Sequence, residues 1–377
     1  MTRATMMLAR VMLAAAVLGG GASSAAPPTA RAVERVSPAR PFAATSVATF
    51  DMPWAIAFLP DGRMLVTEKP GKLWLVTQAG AKRQIAGVPR VKYKGQGGLL
   101  DVAVSPRFAA DHAIYLSYAE PGRGGSSLAL ARATLAGGTL GGLTVIWRQL
   151  PKGDGGQFGG SIAFDPAGTH LFLASGERMR KTPAQDPAQA LGKVLRLNLD
   201  GSTPPDNPMA KAGGVRAQAF STGHRNPYGL AFDARGRLWE IEMGPRGGDE
   251  LNLIRPGGNY GWPAVSNGIN YDGSPIPKHA TRPEFVPPVL WWDPVIAPAG
   301  LVIHDGKAFP QWRGSAFTGG LASQALVRIA FDGVSAREAE RWDMGHRIRD
   351  VVEGPDGALW LIEDEEGGRL LKLTPKR

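Results

Sequence analysis

Ala55-Ile-Ala-Phe-Leu-Pro-Asp-Gly-Arg-Met-Leu-Val-Thr-Glu68 joins two short apolar runs through a Pro-Asp-Gly turn. Apolar runs of about four to eight residues, bounded by turn residues, read as buried strands. The turn folds this pair into a hairpin. The pattern returns in Ser161-Ile-Ala-Phe-Asp-Pro-Ala-Gly-Thr-His-Leu-Phe-Leu-Ala-Ser-Gly-Glu177 and in Gly229-Leu-Ala-Phe-Asp-Ala-Arg-Gly-Arg-Leu-Trp-Glu-Ile-Glu242. It returns again in Asp350-Val-Val-Glu-Gly-Pro-Asp-Gly-Ala-Leu-Trp-Leu-Ile-Glu363. Looser copies begin at Leu99 and Gly300. Their turn positions Pro60, Pro106, Pro166, Ala234, Asp305 and Pro355 are 46, 60, 68, 71 and 50 residues apart. Such spacings suit four-stranded blades with variable loops. The repeat predicts an all-β fold, a six-bladed β-propeller of four-stranded antiparallel blades over residues 46–377. A seventh blade would have to come from residues 264–293, which are Pro-rich, lack a hairpin pattern and read as a long loop.

Composition agrees. The 377 residues are 43% hydrophobic, with 50 Gly and 31 Pro, as a turn-rich chain with a large core requires. Residues 1–26 read as a secretory signal. Arg3 and Arg10 precede a short apolar run, and Ala22-Ser-Ser-Ala-Ala26 supplies small residues for cleavage. Residues 27–45 read as a flexible lead-in. The chain has no Cys, so neither a lipid anchor on Cys nor a disulfide is expected. The expected location is periplasmic or secreted, without stable membrane insertion after cleavage. The net charge is +10, and +8 without Arg3 and Arg10. The basic residues are scattered rather than in a stripe, which argues against nucleic acid and leaves room for an anionic ligand.

In a propeller, the loops entering the innermost strands converge at one end of the axis. Here those loops carry Gln96, Gln157, His224-Arg225-Asn226, Trp291-Trp-Asp293 and Arg347-Ile-Arg349. Their convergence predicts a ligand site. Alternate residues of a strand share a face, so Arg347 and Arg349 form a pair suited to carboxylates. The alternative is an ion pair with a neighbouring acid such as Asp350. Acids also recur where second strands end, at Glu68, Glu177, Glu242 and Asp364.

With these loops in place, the chain resembles the soluble quinoprotein glucose/aldose sugar dehydrogenases. The resemblance runs from about Asp51 to Leu373. It is strongest in Glu68-Lys-Pro-Gly-Lys-Leu73, Gly95-Gln-Gly-Gly-Leu-Leu100, Leu191-Gly-Lys-Val-Leu-Arg-Leu-Asn-Leu-Asp-Gly201, Gly223-His-Arg-Asn-Pro-Tyr-Gly-Leu-Ala-Phe232, Gly244-Pro-Arg-Gly-Gly-Asp-Glu-Leu-Asn-Leu-Ile254 and Asn259-Tyr-Gly-Trp-Pro263. It implies oxidation of an aldose to a lactone with pyrroloquinoline quinone (PQQ) and Ca2+. By the same resemblance, Gln96, Arg225, Asn226, Arg347 and Arg349 contact PQQ, and Arg225 also polarises the quinone. The carbonyls of Gly244 and Pro245 match the donors to the cofactor's Ca2+. Glu250 and the Tyr260 carbonyl match a second, structural Ca2+ site.

Two positions depart from that family. Gln157 stands where the family carries its general-base His, and an amide cannot take a proton at a useful pKa. Ala322 stands where glucose-specific members carry a cofactor-binding Lys. Glu177 is the first-ranked replacement base, ahead of His224 and Asp154. Two other readings stay open: a non-catalytic propeller that binds a sugar or PQQ, and a lactonase-type hydrolase. The hydrolase would need an axial metal held by several carboxylates, whereas these loops offer Arg and Gln. The expected partners are a small aldose and an electron acceptor that the sequence does not identify, with the protein a monomer or homodimer.

Overall fold

The structure, a computed structural model, describes residues 29–33 and 39–376. The secretory signal expected at 1–26 lies outside the described residues. Six antiparallel four-stranded sheets follow one another around an axis, and one of them gains a short fifth strand. Their inner strands are Pro53–Phe58, Leu99–Val104, Gly159–Phe164, Pro227–Phe232, Pro298–Ile303 and Ile348–Glu353. This is the architecture expected from the repeat.

The second strands Met64–Glu68, Leu238–Glu242 and Leu359–Glu363 are buried at every residue. Each lies between two neighbouring blades, so both faces are covered and the sequence is continuously apolar rather than alternating. The hairpin turns are stabilised from within. Asp61 accepts the Arg63 N–H at 3.0 Å, and Asp233 accepts those of Arg235 and Arg237 at 2.9 and 3.0 Å. Asp and Asn favour turns for this reason. Outer strands such as Lys82–Ile85 are largely exposed and polar, so no apolar pattern marks them.

The ring is closed by Phe42–Phe50, which pairs antiparallel with Gly368–Pro375 as the outermost strand of blade 6. The boundary expected at residue 46 therefore falls inside a strand. Residues 42–45 are pulled into the sheet because that edge would otherwise remain unpaired. Part of the expected lead-in is also ordered. Ala30–Arg31 pairs parallel with Leu290–Trp292 and gives blade 4 its fifth strand. Arg31 stacks over Trp291 at 5.5 Å.

Carboxylates, Asp249 buried and Asp101 and Asp350 half-buried, hold blade to blade. Asp350 accepts the Ile56 and Val351 N–H groups, each at 2.9 Å, and so ties blade 6 to blade 1. Asp101 accepts the Ile162 N–H at 2.7 Å, tying blade 2 to blade 3. Asp249 accepts those of Ile296 and Ala297 at 2.7 and 2.8 Å, tying blade 4 to blade 5. Asp101 and Asp350 line an axial cavity of about 240 Å3, so protein encloses them while one side stays open. Burial pushes the Asp350 carboxyl up to about 7.

Asp350→Ala removes the acceptor of two backbone donors and is expected to cost about 2 kcal/mol in urea unfolding, with water in the cavity offsetting part of the loss. In the folded protein Asp350 keeps its proton to about pH 7, while the unfolded chain releases it near 4. Its stabilising contribution therefore falls as pH rises through that window. The penalty of the substitution should be largest near pH 4 and shrink toward pH 7.

Candidate active site

Gly98 must approach a neighbouring backbone closely. A Cβ there would lie 2.2 Å from the Lys69 carbonyl, and its φ is +151°. That approach sets the loop carrying Gln96 against blade 1. The Gln96 Oε1 accepts the Gln157 N–H at 2.6 Å and the Tyr228 hydroxyl at 3.2 Å. Tyr228 meets Trp54 edge-on, with centroids 5.8 Å apart, above the axial cavity, and Arg349 lies 5.5 Å over its ring. Arg349, Arg347 and Lys69 all pair with Asp364, at 2.7, 2.9 and 3.0 Å. Three cations thus share one carboxylate. Burial alone would raise Asp364, but Arg349 and Lys69 hold it far below the usual carboxylate range. The sequence neighbour Asp350 is not their partner. It projects from the opposite strand face toward the axis.

Arg347 also donates to the Leu321 carbonyl at 3.2 Å, and so reaches the fifth blade beside Ala322. Lys69 lies in the Glu68-Lys-Pro-Gly-Lys-Leu73 stretch, but the sequence assigns it no role. Its position emerges only when the end of a blade 1 strand meets the end of a blade 6 strand.

Arg225 and Asn226 are buried at the entry to blade 4. Asn226 accepts the Gly159 N–H at 3.3 Å. Arg225 donates to the carbonyls of Met243 and Gly244 at 2.9 and 2.6 Å, and to the Tyr271 hydroxyl at 2.9 Å. Its guanidinium stacks over Trp262 at 5.2 Å. Tyr271 belongs to the long loop before Leu290 and is 67% exposed at the rim. Nothing in the sequence singled it out.

The third entry loop is clasped to the segment after its second strand. Gln157 is buried, and its Oε1 accepts the Met179 N–H at 3.3 Å. Arg178 donates to the carbonyls of Gly156, Ser126 and Gly155 at 2.9, 2.8 and 2.8 Å, and stacks on Phe158 at 3.7 Å. Gln157, Arg178, Met179 and Lys181 all have φ between 52° and 62°. Non-glycine residues hold that conformation only where their surroundings enforce it. Glu177 is buried, accepts the Lys181 N–H, and its own N–H donates to the Arg225 carbonyl at 2.9 Å. Burial raises its carboxyl above the usual range, against the pull of nearby backbone N–H groups and Arg225.

His224 is fully buried and turned away from this mouth. It contacts Ser221 at 2.8 Å and Glu242 at 3.2 Å, and it stacks on Tyr260. This excludes it as the replacement base. Asp154 is exposed in a side cavity. Beneath the mouth, Glu240, Glu242 and Glu250 gather around the Asn252 amide at 3.0, 3.4 and 3.3 Å. Gly244, Glu242, Glu250 and Tyr260 share a cavity of about 10 Å3, room for one small ion or water. Pro245 is buried but does not line it.

The fold and this mouth define a class: a six-bladed propeller whose entry loops build one cation-rich site at the end of its axis. Residues 50–372 match the family described as Glucose / Sorbosone dehydrogenase, and the chain belongs to that family. It is 41% identical over 340 residues to the aldose sugar dehydrogenase YliI of Escherichia coli, covering 86% of this chain and 91% of that one. A solved glucose dehydrogenase superposes with a TM-score of 0.84 at 44% identity, covering 88% of this chain and 99% of that one. The PQQ-bound aldose sugar dehydrogenase of Streptomyces coelicolor superposes with a TM-score of 0.71 at 30% identity, covering 90% and 99%.

Asp364→Asn would leave Lys69, Arg347 and Arg349 without their shared anion. Leaving a buried charge unpaired costs about 3–5 kcal/mol, which urea unfolding at pH 7 would read. A depressed carboxyl stabilises above its unfolded pKa and loses that contribution as pH falls. The gap between wild type and variant should therefore narrow below about pH 4.

Proposed function

We propose that this protein is an exported PQQ- and Ca2+-dependent aldose dehydrogenase that converts the anomeric centre of a sugar to a lactone. The observation that carries the proposal is the convergence of Gln96, Arg225, Asn226, Arg347 and Arg349 on one mouth with more cations than acids. The residues fit a tricarboxylated cofactor. The buried Nε atoms of Arg225 and Arg349 have no partner among the described residues, and Lys69 adds a third cation beside Arg347 and Arg349. Lys69 and Arg347 would supply the charge that Ala322 does not. The deeper cavity fits Ca2+, which takes oxygen donors. Three buried carboxylates crowd Asn252, and the Glu240 Oε1 and Asn252 Oδ1 have no partner among the described residues. Glu250 and the Tyr260 carbonyl would hold a structural ion there, and the carbonyls of Gly244 and Pro245 would face the cofactor's ion.

Bound at the mouth, PQQ would supply a two-electron acceptor. The remaining work falls to the chain. Arg225 stands ready to stabilise negative charge as it develops. The Gln157 amide orients a sugar hydroxyl, because its Oε1 already accepts the Met179 N–H and its NH2 remains to donate. Glu177, raised above the usual carboxylate range, takes the hydroxyl proton. Trp54 and Tyr228 close the floor against the axial cavity.

Glu177→Gln is expected to lower kcat by about 10²–10⁴-fold. In the wild type the rate should rise with pH through the raised carboxyl, since a base acts deprotonated. Protein loaded with PQQ and Ca2+, an aldose panel and an artificial acceptor provide the assay; no turnover above a cofactor-free control would overturn the proposal. Gln157→His should raise the rate.

Gln157 favours a second reading, a propeller that binds PQQ or a sugar without turning it over. Tight PQQ binding by calorimetry with no sugar oxidised would select it. A lactonase-type hydrolase is disfavoured because the axial mouth offers guanidinium and amide groups. Periplasmic export rests on residues 1–26. No helix among the described residues is long and apolar enough to cross a membrane. The partners proposed are a small aldose and an acceptor yet to be identified, for a monomer or homodimer, with no nucleic acid.

A further inference from the structure

A second cavity of about 310 Å3 opens beside the mouth, and Gln96 is a wall common to both. Lys92, Lys94, Asp154 and Met179 also line it. Lys92 and Lys94 flank Tyr93 in an irregular loop and both line the cavity, while Tyr93 stands 48% exposed. Neither lysine forms an ion pair among the described residues. This sets them apart from Lys69, Lys152 and Arg349, each of which is paired with a carboxylate, though a shared one. Asp154 is the one acid of the lining and leaves an excess of positive charge.

The opposite wall is rigid. Arg178 holds the carbonyls of Gly155 and Gly156 at 2.8 and 2.9 Å, and the left-handed backbone at Met179 turns its side chain outward, 59% exposed. The cavity thus combines two free ammonium groups, one acceptor for hydroxyls and one apolar thioether on a fixed frame. Through Gln96 it adjoins Gln157, which the dehydrogenase reading sets against the sugar hydroxyl.

We propose that this cavity is a subsite for an anionic substituent of the substrate, and that the preferred substrate is a sugar bearing a carboxylate or phosphate remote from its anomeric carbon. The inference rests on the dehydrogenase reading and specifies its substrate class. Lys92 and Lys94 bind the anion, Asp154 accepts a sugar hydroxyl, and Gln96 marks the boundary with the reacting end.

The test compares glucuronate, galacturonate and glucose 6-phosphate with glucose and galactose, in wild type and in the Lys92→Gln/Lys94→Gln double variant. Both lysines are exposed, so the variant should fold. In the loaded enzyme, kcat/KM for acidic sugars should exceed that for neutral ones by about 10-fold or more and fall steeply with added salt. The double variant should lose about 10-fold or more on the acidic sugars and less than about 2-fold on the neutral ones. The ratio of glucuronate to glucose 6-phosphate identifies which anion the cavity takes. Turnover of neutral sugars without this preference, or an equal loss on both classes, overturns the subsite. If no sugar of either class is oxidised, the dehydrogenase reading fails separately. Calorimetric titration of galacturonate into cofactor-free protein then decides the subsite alone. Binding that the double variant loses supports it, and no binding overturns it.

Discussion

Six blades must meet around one axis, and the whole structure depends on closing that ring. Phe42–Phe50 closes it by lying against Gly368–Pro375, so the first long strand of the described chain completes the last blade. Sheet pairing alone leaves the inner strands free to slide between blades. The carboxylates of Asp350, Asp101 and Asp249 remove that freedom by accepting backbone N–H groups from the next blade. Each is at least half-buried at a cost, offset by the hydrogen bonds it receives. The reward is registration. Loops that are up to hundreds of residues apart are held at one end of the axis with fixed spacing.

That registration makes a cation cluster possible. Lys69 and Arg349 come from opposite sides of the closure, and Asp364 joins them. Without the shared carboxylate, three like charges would repel across the seam between blades 6 and 1. With it, the seam is stabilised and still keeps a surplus of positive charge. One residue thus serves both the closing of the ring and the electrostatic character of the mouth.

The hairpins were legible because both of their faces are buried, which writes a continuous apolar run with an Asp or Gly turn. Outer strands such as Lys82–Ile85 and the closing strand Phe42–Phe50 were not. Their burial is partial, and their place is decided by an unpaired edge far away in sequence. The entry loops suggested Gln96, Gln157, Arg225, Asn226, Arg347 and Arg349 as one site; in the structure Gln96 meets Gln157 and Tyr228, and Arg349 lies over the same Tyr228 ring. The alternative for the arginine pair, an ion pair with a neighbouring acid, is realised through Asp364 rather than Asp350, which bonds instead to blade 1. His224 shares its loop with Arg225, yet its ring turns inward onto Tyr260. Sequence adjacency carries no information about which way a side chain leaves the backbone of an irregular loop. Arg178 and Tyr271 act through contacts to distant backbone or to other loops, so no local pattern could announce them; Lys69 stood in a quoted stretch, but its role depends on Asp364 of another blade.

The long excursion between Asp249–Leu253 and Leu290–Trp292 brings Tyr260, Trp262 and Tyr271 to the site, yet it begins and ends on two strands already paired, Leu251 opposite Leu290. Its ends stay about 5 Å apart whatever its length. Because lengthening a closed loop costs little, the exposed outer part around Tyr271 is free to change in length and composition, while Tyr260 and Trp262, buried and bonded to the backbone of blades 3 and 4, stay fixed.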